Sequence, residues 1–212
     1  MADMADSVLI LGATGLVGAG CVRQFAAAPR FARVVAIARR PLGSPGPVRV
    51  ESHVIDFERL DEAAHHFRVS HIVCALGTTI KQAGSQDRFR RVDHDYPLAA
   101  ARLGLREGAR HFLLVTAIGA SARSRVFYNR VKGEIEDAIR ALPYRSVTIV
   151  RPSLLLGDRA ETRLGEQIGK LFAAVVPKRY KPVQASAVAG ALVRAASEDQ
   201  GGVRIIESKE IS

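Results

Sequence analysis

Short apolar runs alternate along the chain with longer segments whose apolar residues recur every three or four positions. Val8-Leu9-Ile10-Leu11, Val34-Val35-Ala36-Ile37-Ala38, Ile72-Val73-Cys74-Ala75-Leu76, Phe112-Leu113-Leu114-Val115 and Val147-Thr148-Ile149-Val150 are nearly unbroken, the pattern of strands buried on both faces. Residues 48–55 form a more polar candidate strand, and residues 203–206 a last one. Residues 16–28, 58–67, 87–107 and 124–142 carry helical spacing between them, and residues 167–176 and 186–197 carry it nearer the end. Repeated strand–helix–strand units require right-handed crossovers, so the expected fold is α/β, a doubly wound parallel sheet of Rossmann type. The cluster Gly43-Ser44-Pro45-Gly46-Pro47 reads as a turn, too short for a linker. The expectation is therefore a single domain over residues 1–212, with a small substrate-side elaboration at 152–200.

The junction of the first strand and first helix reads Gly12-Ala13-Thr14-Gly15-Leu16-Val17-Gly18. Glycines at this spacing permit a tight turn, let backbone N–H groups approach a pyrophosphate, and bring helix and strand close together. The order is G-x-x-G-x-x-G rather than G-x-G-x-x-G, yet it sits where a dinucleotide loop must sit. About twenty residues on, an NAD site places an acid for the ribose 2′-hydroxyl, whereas this chain reaches Arg39-Arg40. Guanidinium forks match a 2′-phosphate, so the cofactor expected is NADP(H). Asp56, after the third strand, either accepts from the adenine amino group or caps the following helix. Leu76-Gly77-Thr78 ends the fourth strand on the ligand side, where Gly77 admits close backbone approach and Thr78 offers a hydroxyl.

Tyr128 and Lys132 stand four residues apart, hence on one helical face. An ammonium beside a phenol lowers its pKa from about 10, which makes Tyr128 a candidate general acid/base and Lys132 its tuner and a ribose ligand. Thr116, at the end of the fifth strand, offers a hydroxyl to polarise a carbonyl.

Together these residues resemble the atypical short-chain dehydrogenase/reductase superfamily. The segments Ile55-Asp56-Phe57-Glu58-Arg59-Leu60, Arg91-Val92-Asp93-His94-Asp95-Tyr96, Val131-Lys132-Gly133-Glu134-Ile135-Glu136 and Arg151-Pro152-Ser153-Leu154-Leu155-Leu156-Gly157-Asp158-Arg159 are similar, more narrowly, to the Tat-interacting-protein oxidoreductase-like family. That resemblance implies an NADP(H)-binding Rossmann domain with a small C-terminal lobe, and cofactor contacts from Leu155 and Arg163. The superfamily normally carries serine near the end of the fifth strand; here the stretch is Thr116-Ala117-Ile118-Gly119-Ala120-Ser121, which leaves Thr116 and Ser121 as alternatives. The implied function is hydride exchange with a small carbonyl/alcohol substrate; the alternative is a redox-sensing or regulatory NADP(H)-binding protein without turnover.

Composition narrows the classes. With 48% hydrophobic and 25% charged residues the chain is an ordinary globular one. Thirty-one basic against twenty-one acidic residues give +10, which raises polyanion binding. The basic residues are scattered, tryptophan is absent and aromatics make up 6%, so a base-stacking platform is poorly supplied and nucleic acid is disfavoured. No apolar run reaches the roughly 20 residues of a membrane span. The acidic first residues lack a basic signal region, and Cys21 and Cys74 read as reduced core thiols, so a cytoplasmic protein is expected. His53, His65, His66, His71, His94 and His111 show no metal-ligand spacing, and no metal is expected. Asp93 and Asp95 read as capping or solvated residues at a helix entrance.

Overall fold

A computed structural model describes residues 6–42, 50–157 and 181–211. Its elements run β1 (Asp6–Leu11), α1 (Leu16–Ala27), β2 (Phe31–Ala38), β3 (Val50–Val54), a 3₁₀ segment (Phe57–Phe67) and β4 (His71–Cys74). There follow α2 (Ile80–Ala83), α3 (Gln86–Arg90), a π-helical turn (Arg91–Asp95), α4 (Tyr96–Arg106), β5 (His111–Val115), α5 (Phe127–Arg140) and β6 (Ser146–Arg151). The end comprises β7 (Leu155–Leu156), β8 (Val183–Gln184), α6 (Ala185–Glu198), β9 (Gly202–Glu207) and a 3₁₀ turn (Ser208–Glu210).

Seven strands form one parallel sheet in the order β3-β2-β1-β4-β5-β6-β9, and β7 and β8 form a separate parallel pair. The order reverses between β1 and β4, where a crevice opens beyond the carboxyl ends of the strands. The apolar runs are continuous because alternate residues serve opposite faces. Val8, Ile10, Val34, Ala36, Val73 and Leu113 pack with Cys21, Phe25, Val188 and Leu192 of α1 and α6. Leu9, Leu11, Val35, Ile37, Ile72 and Phe112 pack with Ala100, Leu103, Ile135 and Ile139 of α4 and α5. Both cysteines are buried, unbridged thiols with their pKa pushed up to about 12 by burial, so they are inert core.

Two expectations change, and three short elements join them. The segment 58–67 is a 3₁₀ helix with a non-helical residue at Arg59, not an α-helix. The helix expected over 87–107 is a continuous helical path that begins at Gln86 and widens into the π turn before Tyr96. The short elements α2, β7 and β8 carry no sequence periodicity long enough to be read. The expected turn at 43–47 and helix at 167–176 lie outside the described residues.

Candidate functional site

The glycine loop and the end of β4 line the crevice from two sides. Gly12 has φ +84°, a left-handed conformation, and a Cβ there would lie 2.7 Å from the Ala75 carbonyl oxygen. A Cβ on Gly18 would meet the Gly12 carbonyl oxygen at 2.1 Å, so the first turn of α1 seats directly on the loop. Gly15 is exposed at the N-cap of α1, whose first turn has no acidic side chain, leaving its N–H groups and positive dipole end open to an anion. Thr14 and Leu16 are half-buried, and Val17 is core. Gly157, after β7, brings that strand against the Leu16 side chain, placing half-buried Leu155 close to the loop.

Arg39 and Arg40 are exposed in a bend just after β2, and neither is in an ion pair among the described residues. Asp56 is exposed and its Oδ1 accepts from the Glu58 backbone N–H at 2.9 Å, so the capping alternative is the one the structure forms. Arg163 lies outside the described residues.

At the other side of the crevice, Lys132 Nζ lies 2.7 Å from Asp93 Oδ1, with both side chains almost wholly buried. The second Asp93 oxygen accepts from the Thr78 backbone N–H at 2.9 Å. Gly77 lies over the pair; a Cβ there would come within 3.6 Å of Asp93 Oδ1 and 3.8 Å of Lys132 Nζ. Leu76 is half-buried against the α4–α5 face of the core, and the Thr78 hydroxyl makes only a 3.5 Å contact to the Thr79 carbonyl. Tyr128 packs on the buried Phe89 ring, with centroids 5.4 Å apart.

Burial opposes charge on Lys132, but Asp93 and Tyr128 outweigh it and hold the ammonium above the usual lysine range. For Tyr128 the balance differs from the sequence expectation. Burial pushes its phenol up, Lys132 pulls it down, and Asp93 pushes it up again, for a net rise. A lysine neutralised by its own carboxylate is a weak tuner of a neighbour. Lys132 is thus a fixed cation, and Tyr128 is a protonated phenol at neutral pH.

Thr116 does not sit as a free carbonyl polariser. Its hydroxyl donates to Glu136 Oε1 at 2.6 Å, and that buried carboxylate also receives the Arg151 guanidinium, which reaches on to Glu207 at 2.9 Å. The single hydroxyl proton is spent on the carboxylate. Ser121 lines a cavity of about 320 Å³ with Gly133, Glu136 and Arg151, to which neither Tyr128 nor Lys132 contributes. Ser121 Oγ also accepts from the Arg123 backbone N–H.

No family model matches the chain. Protein HTATIP2 of Rattus norvegicus is 35% identical over 212 residues, covering 97% of this chain and 87% of that one. The chain belongs to the HTATIP2 family. This is an atypical short-chain dehydrogenase/reductase family, the one the motifs resemble. Another relative, the mitochondrial protein FMP52 of Eremothecium gossypii, is 34% identical over 215 residues, covering 97% of this chain and 95% of its own. MoeE5, solved with UDP-glucose and NAD, superposes with TM-score 0.73 at 18% identity over 95% of this chain and 76% of its own, a likeness of fold.

These relatives correct one expectation. FMP52 of Eremothecium gossypii and five further fungal relatives are named mitochondrial, which points away from the cytoplasmic placement inferred from the first residues and the cysteines. Buried, unbridged thiols do not distinguish one interior compartment from another.

In this HTATIP2-family chain the residue that sequence reasoning missed is Asp93. It is buried at 1% exposure and partners Lys132, where a solvated or capping acid was expected. The available signal was spacing: Phe89, Asp93 and Pro97 are buried at successive intervals of four, so Asp93 shares the inward face of its helix.

Proposed function

We propose that this protein binds NADP(H) and exchanges a hydride with a small carbonyl/alcohol substrate. The observation that carries the reading is the Tyr128–Lys132 face set beneath Gly77 at the switch-point crevice, with Lys132 locked by Asp93. The residues present suit the cofactor: positions 12 and 18 exclude a Cβ, the α1 N-terminus is free of acids, and Arg39 and Arg40 await a phosphate partner. NAD bound to MoeE5 on the same fold, and the family membership, support a nicotinamide dinucleotide; the arginine pair favours the 2′-phosphorylated one.

The cofactor supplies or accepts the hydride. The N–H groups of the first turn of α1 would hold the pyrophosphate, with Gly12 and Gly15 admitting its close approach, and Thr14, Leu16, Val17, Gly18, Leu76, Gly77, Thr78 and Leu155 would shape the walls around the cofactor. Lys132 orients the ribose hydroxyls. Tyr128, protonated near neutrality, donates its phenolic proton to the carbonyl oxygen in reduction and must first lose it for oxidation. Reduction is therefore the favoured direction at neutral pH, and alcohol oxidation rises toward alkaline pH. NADPH oxidation over a panel of aldehydes and ketones tests this. Turnover by wild type that falls by at least about a hundredfold in Tyr128→Phe supports it; a Tyr128→Phe variant as active as wild type removes it.

One observation favours a second reading. Because the Thr116 proton goes to Glu136, no described residue sets the usual carbonyl-polarising hydroxyl beside Tyr128. A protein that binds NADP(H) and signals its redox state without turnover fits that arrangement. Tight NADPH binding with no consumption of it over the whole panel selects this reading.

A further inference from the structure

At the amino end of the sheet, opposite the glycine loop, three buried side chains converge from distant parts of the chain. His71 and His111 open the neighbouring strands β4 and β5 and pair in register, with ring centroids 5.4 Å apart. Asp199 caps the end of α6 with φ 42° and ψ 45°, the one non-glycine residue of positive φ among those described. That left-handed turn carries its carboxylate beneath the sheet. His71 is 0% and His111 1% exposed. Asp199 Oδ1 lies 3.1 Å from His111 Nδ1 and 3.9 Å from His71 Nε2, and the three atoms lie within 4.8 Å of one another.

The hydrogen bonds determine which nitrogens carry lone pairs. Ser70 Oγ accepts from the Ser7 backbone N–H and gives its only proton to the Ser7 carbonyl, both at 2.8 Å. His71 Nδ1, also 2.8 Å from Ser70 Oγ, must therefore be the donor of that contact. In the neutral ring Nε2 is then a bare lone pair, buried, without a hydrogen-bond partner, and facing a carboxylate oxygen. Two acceptors aimed at each other in a dry site call for a cation between them. His111 is arranged to match. Its Nε2 lies 2.9 Å from the Thr148 hydroxyl, which can accept a ring proton and free Nδ1, itself without an aligned partner, to face the same point.

We propose that His71 Nε2, His111 Nδ1 and Asp199 Oδ1 bind a divalent transition metal of the zinc class. Each histidine would give its other ring nitrogen to a hydroxyl, Ser70 or Thr148, the outer-shell pattern that orients metal-bound imidazoles. Arg110 Nε at 2.9 Å and Arg145 at 3.2 Å take the other Asp199 oxygen, and the Ser146 hydroxyl donates to Oδ1 at 3.2 Å, so Oδ1 offers the ion its remaining lone pair. Burial lowers the pKa of both histidines, His111 to about 4, so both rings are neutral and competent ligands at pH 7. Arg30, Arg110 and Arg145 face Asp6 and Asp199 around the site, an excess of positive charge that makes binding weaker than at thiolate-rich zinc sites. The ion would tie the first residues of β4 and β5 to the end of α6.

The test uses the untagged full chain, stripped with a chelator and titrated with Co²⁺ and then Zn²⁺. One cobalt per chain, the visible absorption of four-coordinate cobalt, its displacement by zinc and a metal-dependent rise in melting temperature are expected. His71→Gln and His111→Gln abolish the signal, and Ser70→Ala weakens binding by roughly tenfold through loss of its outer-shell partner. His66→Gln, in the separate stacked trio His53, His65 and His66, leaves it unchanged. Circular dichroism identifies variants that fail to fold, and wild type and Ser70→Ala decide the matter if the histidine variants do. No saturable cobalt binding by folded wild type, or binding that survives loss of both histidines, overturns the proposal.

Discussion

Replacing Asp93 with asparagine tests the central electrostatic element of the site. The carboxylate has two jobs, pairing with Lys132 Nζ at 2.7 Å and accepting the Thr78 N–H at 2.9 Å, one oxygen to each. An amide has the same shape but a single acceptor oxygen, so either a buried ammonium or a buried N–H loses its partner. Breaking one side of a buried ion pair costs about 3–5 kcal/mol. The amide retains one of the two contacts, which places Asp93→Asn at the lower end, roughly 3 kcal/mol. For a chain of this size each kcal/mol moves the melting temperature by about 2–4 °C, so a fall of roughly 6–12 °C is expected. Calorimetry on Asp93→Asn, Lys132→Met and the double variant measures it. Coupling between the two positions should be about 2 kcal/mol or more, since removing both charges leaves no buried charge unpaired. Asp93→Asn within about 2 °C of wild type, with additive singles, would refute the buried-pair reasoning.

Other consequences are as specific. Arg39→Ala with Arg40→Ala should erase a preference for NADPH over NADH of about tenfold or more, worth about 1.4 kcal/mol, while NADH affinity holds; fluorescence titration reads both. Gly18→Ala puts a Cβ 2.1 Å from the Gly12 carbonyl oxygen, so dinucleotide binding should be lost and the melting temperature lowered, and a variant that binds normally would show the loop is not seated as described. In chelator-treated protein, acid should act through His111. Its folded pKa of about 4 lies below the ordinary 6.5, so the unfolded chain binds more protons between those values. That stability is complete above about pH 6.5 and lost as pH falls toward 4, by about 3 kcal/mol at most. Denaturant midpoints across this window should flatten in His111→Gln; an unchanged slope would count against the assignment.

Much of the architecture was legible because a strand buried on both faces needs an unbroken apolar run, and five of the seven sheet strands have one or nearly so. The glycine loop and the Tyr128–Lys132 spacing were equally open to reading, since each is local to one junction or one helix. What stayed hidden is tertiary. Asp93 stands on a different helix from Lys132, and the fate of the Thr116 proton depends on Glu136 and Arg151, from the next helix and strand. The histidines at 71 and 111 show no ligand spacing along the chain, yet each is the first residue of its strand. Parallel pairing alone brings them side by side.

The π turn at Arg91–Asp95 acts as a phase adjuster between two stretches of helix. Phe89 before it must meet Tyr128, Asp93 within it must meet Lys132, and Ala100 and Ala101 beyond it must enter the core. An unbroken α-helix advances about 100° per residue, and inward positions four apart would drift by about 40° with each repeat. The wider turn absorbs that drift. Removing a single residue from it would rotate everything upstream by about 100° relative to α4, swinging Phe89 off the tyrosine while leaving every side chain of the site chemically intact. The geometry of the candidate site thus depends on the count of residues between 89 and 100 as much as on their identity.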